Sequence, residues 1–185
     1  MRRTALLAPL LLALMLAACA RPVYRDTDVP IEPVAQVDLE RYAGRWYEVA
    51  RFPVWFQDGC VGVTADYAQR PDGRIDVLNA CRVETLDGRV RTASAVARAV
   101  DDTGARLKVR FLPWLPFIEG DYWIIHLDED YASAVVAIPS GRAGWILSRD
   151  PAIAPARLAA AKAALEAAGF DLDRLEPTPQ PPGGA

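Results

Sequence analysis

Few residues in this chain could do chemistry. They are the single histidine, His126, the three cysteines Cys19, Cys60 and Cys81, the acidic run Asp128-Glu129-Asp130, and Ser148. Acid–base catalysis wants a histidine set against a second polar group, and a lone one in a strand-like segment is more often a satisfied structural side chain. No His, Cys and carboxylate set has metal-ligand spacing. Ser148 lacks a nucleophile-elbow context and has no histidine beside it in sequence. The acidic run falls between two strand-like segments, where solvated carboxylates belong, and no glycine-rich loop opens a helix as a phosphate site would require. Catalytic residues, a metal site and a cofactor are therefore not expected.

The cysteines point elsewhere. Arg2 and Arg3 precede an apolar run, Thr4 to Ala18, that ends in small residues. Such a run is too short to span a bilayer and reads as a signal peptide over residues 1–18. Leu16-Ala17-Ala18-Cys19 resembles the lipobox of bacterial lipoproteins. That resemblance implies cleavage before Cys19 and its modification with acyl chains such as palmitate; a plain secretory site is the alternative. Each buried methylene adds about 0.8 kcal/mol, so such an anchor holds a protein to a membrane without crossing it. The same resemblance to lipoproteins implies, from Ala20 rather than Asp after the cysteine, sorting to the outer membrane.

Cys60 and Cys81 form an even pair in an oxidising compartment. A bridge would close a loop of about 20 residues, worth roughly 3 kcal/mol; two buried free thiols are the alternative. The two lie at matching distances from the turn Arg70-Pro71-Asp72-Gly73, yet simple alternation puts them on opposite faces. A bridge then requires a bulge, or a cysteine beyond the regular ladder.

The elements that would position these residues are mostly strands. The 185 residues, with a net charge of -3, suffice for one domain with a real core and give no reason to expect nucleic acid. Residues 19–37, with Pro22, Pro30 and Pro33, read as a lipidated cysteine followed by an extended tether. Asp38 caps a short helical turn. Strand-like segments follow at 45–52, 61–69, from 75, 90–100, 106–111, 121–127, 132–138 and 143–149, joined by turn-forming residues. Residues 155–168 form a helix that stops at Gly169. The domain thus covers 38–176, and the Pro/Gly-rich tail 177–185 is expected to be loose. This order predicts an all-β fold, an eight-stranded antiparallel up-and-down barrel with one C-terminal α-helix packed outside; a sandwich is the competitor.

Whether such a barrel is open depends on its interior. Ala93, Ala95, Ala97 and Ala99 alternate along one strand, so a row of short side chains faces inward. A large apolar void costs on the order of 24 cal/mol per Å³, so it would want a function. Asn79, Tyr67 and Tyr122 add sparse polar points. Two aromatic stretches, 53–59 and 112–120, could close the mouth as lids, or simply fold over the core edge. Trp46, Phe111 and Trp145 could instead fill the space. Glu48 shares parity with Trp46 and could pair inside with an arginine or a ligand head.

Three short motifs carry a family resemblance: Gly44-Arg45-Trp46-Tyr47, Asp128-Glu129-Asp130-Tyr131, and Trp145-Ile146-Leu147-Ser148-Arg149. In that order the chain resembles a bacterial outer-membrane lipocalin. The resemblance implies that Gly44, Trp46, Tyr47, Asp130, Tyr131 and Arg149 are structural, with the Arg149 guanidinium packed on the Trp46 indole at the closed end. It implies binding of small hydrophobic molecules, fatty acids or lysophospholipids, by a non-enzyme of the cell envelope. Such a protein is anchored to the outer membrane and faces the periplasm, with oligomeric state open and a homodimer among the options. Candidate lining or gating residues are Phe52, Trp55, Phe56, Asn79, Ala95, Phe111, Trp114, Phe117, Tyr122 and Trp145. A filled-barrel structural lipoprotein and a lipocalin-fold lipid or isoprenoid enzyme remain the alternatives.

Overall fold

A computed structural model describes residues 22–111 and 119–183. A short helix, α1 (Leu39–Tyr42), is capped by Asp38, whose carboxylate accepts from the backbone N–H groups of Glu40 and Arg41. Eight strands follow: β1 (Gly44–Arg51), β2 (Cys60–Gln69), β3 (Ile75–Val83), β4 (Val90–Ala99), β5 (Arg106–Arg110), β6 (Gly120–Leu127), β7 (Ser133–Ala137) and β8 (Gly144–Ser148). Each pairs antiparallel with the next, and β1 pairs with both β2 and β8, so the sheet closes into a barrel and leaves no free edge among these eight. A 3₁₀ turn (Trp55–Gln57) bridges β1 and β2. The helix α2 (Pro155–Ala167) begins on a proline, which suits a first turn that needs no N–H donor there.

Two large apolar clusters, with a small third one of Cys60, Val63 and Cys81, make up the core. One fills the lower interior around Tyr42, Trp46, Tyr67 and Leu107; the other lies outside the barrel, where Ala161 and Leu165 of α2 cover Phe52, Val135 and Ile146. β7 lies between them, which is why all five of its residues are buried. Alternate side chains, Ala134 and Val136, enter the barrel while Val135 and Ala137 face the helix.

Bulges decide which side chains enter. In β1 the register with β8 shifts between Glu48 and Ala50. Trp46 and Glu48 point inward, but the extra residue turns Ala50 and Phe52 to the outer cluster. In β2 the register with β3 shifts between Val61 and Thr64, where Gly62 adopts φ +55°. That bulge brings Cys60 and Cys81 to the same face, and they form a disulfide with Cα atoms 5.5 Å apart.

Both ends of the domain are more ordered than their composition suggests. The expected tether packs down the barrel from residue 22: Tyr24, Arg25 and Val37 are buried, and Val37 N–H donates to Thr103 O at 2.8 Å. The expected loose tail begins with a ninth strand, β9 (Glu176–Pro177), paired with β1. Thr178 is buried beside it, and Gln180 donates to Glu48 O and Val63 O. Polar side chains and backbone bonds hold both segments, and neither leaves a hydrophobic period in the sequence.

Candidate binding cavity

The closed end is filled by large side chains. Trp46 is fully buried, its indole N–H donates to Tyr42 O at 2.8 Å, and the Arg149 guanidinium lies 3.9 Å from its ring centroid. Arg149 also donates to the carbonyl oxygens of Arg41, Tyr42, Ala43 and Arg45. A Cβ on Gly44 would stand 3.4 Å from Arg149 Nη1, and its φ of +92° excludes most side chains, so this position requires glycine. Tyr47, of opposite parity to Trp46, is half-buried between β2 and β8. Across the β6–β7 turn, the Tyr131 hydroxyl accepts from Asp38 N–H, and Asp130 pairs with Arg157 of α2 at 2.6 Å.

Above this plug the tyrosines form a floor. The Tyr122 hydroxyl shares hydrogen bonds with those of Tyr42 (2.9 Å) and Tyr67 (2.8 Å). Burial raises the pKa of all three phenols, that of Tyr67 to about 12, so the floor stays uncharged at neutral pH.

From the floor to the mouth the barrel is open. The cavity measures about 540 Å³, within the roughly 300–1,000 Å³ of small-molecule sites. Its wall is largely apolar, with Val77, Leu107, Val109 and Leu147 deep inside, and Trp55, Phe56 and Phe111 at the rim. Short residues keep it wide: Ala93 faces the space, and Asn79 pairs in register with it.

One polar network interrupts the greasy wall. Glu48 accepts from Arg51 (2.8 Å), Gln57 (2.6 Å) and Thr178 (2.7 Å), and Gln57 Oε1 accepts from the Trp145 indole N–H at 2.8 Å. Gln57 thereby fastens the aromatic 3₁₀ turn to the barrel wall and orients Trp145. Nearer the mouth, Arg91 donates to Phe56 O at 3.1 Å, and Asp121 pairs with Lys108 at 2.8 Å.

Of the residues picked from sequence as lining or gating, Trp55, Phe56, Asn79, Phe111, Tyr122 and Trp145 border the cavity. Two do not. Phe52 is turned outward by the β1 bulge and stacks between Tyr24 and Phe170 beneath α2. Ala95 faces inward but too low: it pairs with Val77 and packs into the filled lower core. Trp114, Phe117 and Cys19 lie outside the described residues. Gln57, Arg91 and Asp121 escaped the sequence reading, because a polar residue on a barrel strand or turn has no pattern that marks it as inward. His126 sits by the β6–β7 turn, 3.3 Å from Asp128, and is not on the cavity wall.

Known proteins are similar to this chain in sequence and in fold. The chain is 37% identical over 155 residues to temperature-induced lipocalin-1 of Arabidopsis thaliana, covering 81% of this chain and 83% of that one. It is 34% identical over 181 residues to the outer membrane lipoprotein Blc of Citrobacter freundii, covering 98% and 99%. Insecticyanin of the tobacco hornworm Manduca sexta superposes with a TM-score of 0.64 at 16% identity, over 87% of this chain and 88% of that one, a likeness of fold. With the lipocalin-like domain family matching residues 37–180, this chain belongs to the lipocalins.

Proposed function

We propose that this protein binds small hydrophobic ligands in its barrel, most suitably single-chain amphiphiles such as fatty acids or lysophospholipids, while tethered through Cys19 to the outer membrane with its domain in the periplasm. The observation that carries this reading is the open apolar cavity of about 540 Å³ above the tyrosine floor. A long acyl chain gains about 0.8 kcal/mol for each methylene taken from water, without needing directional contacts. The anionic head of such a ligand meets Arg91 near the mouth, where water remains to solvate it. The lipobox-like sequence before Cys19, and similarity to proteins named outer membrane lipoproteins, support the anchor and the location. The role is carriage rather than turnover, in keeping with a wall that is largely apolar.

Native mass spectrometry of the gently purified protein tests this directly. The expected spectrum carries adducts of fatty-acid or lysophospholipid mass. A bare protein mass, combined with failure to bind added fluorescent fatty acid, would overturn the reading.

A further inference from the structure

The described chain begins at the open end of the barrel. Tyr24 donates its N–H to Gly141 O in the β7–β8 turn at 2.7 Å, and its hydroxyl to Pro53 O at 2.7 Å. Its ring stacks on Phe52 with centroids 5.2 Å apart. From there the chain descends the outer wall, bonding to Ile124 through Val34 and, in the β4–β5 turn at the closed end, to Thr103 through Val37. Tyr24 is therefore fixed near the rim.

Cys19 precedes Tyr24 by five residues. At no more than about 3.6 Å per residue, the leash reaches roughly 18 Å at full stretch. The eight residues of β1, at about 3.3 Å each, span roughly 26 Å, or about 20 Å along the axis at a tilt near 40°. A lipid on Cys19 thus reaches a membrane beneath the open rim and falls short of one beneath the closed end.

The two ends also differ chemically. At the mouth Trp55 is 74% exposed, Val90 55%, and Phe56 and Phe111 47% each. Three of these border the cavity entrance together with Arg91. Such a cluster of large apolar side chains around one cation suits the interfacial layer of a bilayer, where Trp is enriched and Arg keeps its head in water. Ion pairs occur at both ends, Lys108 with Asp121 and Arg110 with Glu119 near the mouth, Arg74 with Asp72 and Arg157 with Asp130 at the closed end. The exposed large aromatic side chains among the described residues, however, are all at the mouth.

The geometry points to a barrel that docks mouth-down on the membrane holding its own lipid, with Trp55, Phe56 and Phe111 in the interfacial layer. Ligand then passes between bilayer and cavity without crossing bulk water. This rests on acylation of Cys19, as in the function proposed above.

The test uses the full-length lipidated chain in vesicles of phosphatidylethanolamine and phosphatidylglycerol. With Cys19 acylated and Cys60 bonded to Cys81, an introduced cysteine is the only reactive thiol of the chain. A spin label is placed by Asp58→Cys in the mouth turn or Asp72→Cys in the β2–β3 turn, and its relative accessibility to oxygen and to a water-soluble nickel complex is read. Both variants are expected to float with vesicles, with the oxygen-to-nickel ratio several-fold higher at position 58 than at 72. Adding Trp55→Ser to Asp58→Cys is expected to lower that ratio. An equally aqueous label at both positions in floating protein overturns the docking and leaves the anchor standing. Failure to float, matched by Cys19→Ala, overturns the anchor and the docking with it.

Discussion

The Arg149 guanidinium lies over the Trp46 indole, 3.9 Å from its centroid, and closes the bottom of the barrel, bonding four backbone carbonyls of the segment 41–45 at the start of β1. It joins the two ends of the sheet, because Trp46 stands near the start of β1 and Arg149 follows β8. Arg149→Met keeps the stem but loses the charge and every one of those bonds. A destabilisation of about 2–3 kcal/mol is expected from the loss of the charge-assisted hydrogen bonds and the cation–π contact. Urea titration checks it, and acyl binding to the folded fraction is expected to persist because the cavity lies above the plug.

The disulfide joins the two cysteines across the β2 bulge and closes a loop of sequence separation 21. Its removal by Cys60→Ala with Cys81→Ala is expected to cost about 3 kcal/mol through the greater freedom of the unfolded chain. The denaturation midpoint of the oxidised protein should fall to that of the double variant on adding reductant, and a midpoint insensitive to reductant would contradict this.

Gln57 holds the aromatic turn to Glu48 and to Trp145. Gln57→Ala breaks both bonds and strips Glu48 Oε2 of its partner, while Arg51 and Thr178 still bond Oε1. The expected results are a loss of about 1–2 kcal/mol, faster amide exchange across residues 54–59, and faster ligand release. Hydrogen-exchange mass spectrometry and stopped-flow displacement read the two effects separately.

Acid should loosen α2 from the β6–β7 turn. The hydrogen bond and charge of Arg157 hold the Asp130 carboxyl below its ordinary pKa. A group depressed in the folded state contributes stability above its unfolded pKa, near 4, and that contribution fades as the pH falls through the lower folded value. Carboxyl NMR titration should show Asp130 below the ordinary range in the native protein and returned to it in Arg157→Met.

Much of the fold was legible in the sequence. Period-two alternation and turn residues located all eight barrel strands, and Pro155 and Gly169 bracketed the helix. The disulfide was left to a bulge or to a cysteine beyond the ladder, with free thiols as the alternative, and the structure has the bulge, at Gly62 between the two cysteines. Phe52 was misplaced because parity was carried through β1 from Trp46, and the extra residue after Glu48 leaves no mark in side-chain types. Ala95 was right in face and wrong in depth, since strand alternation says nothing of how high the tyrosines stack. Thr178 and Gln180 went unread because their partners, Glu48 and Val63, lie more than 100 residues earlier.

The central claim is that acyl chains occupy the space beside Ala93. Titration of fatty acids of increasing length into the wild-type protein and into Ala93→Trp, by calorimetry, tests it most directly. The expected result for wild type is affinity that rises by up to about 0.8 kcal/mol per methylene until the cavity is full, with a negative heat-capacity change. In Ala93→Trp the indole takes that space, and binding should be lost while the circular dichroism spectrum is kept. Equal affinities in the two proteins, or affinity indifferent to chain length, would contradict the account.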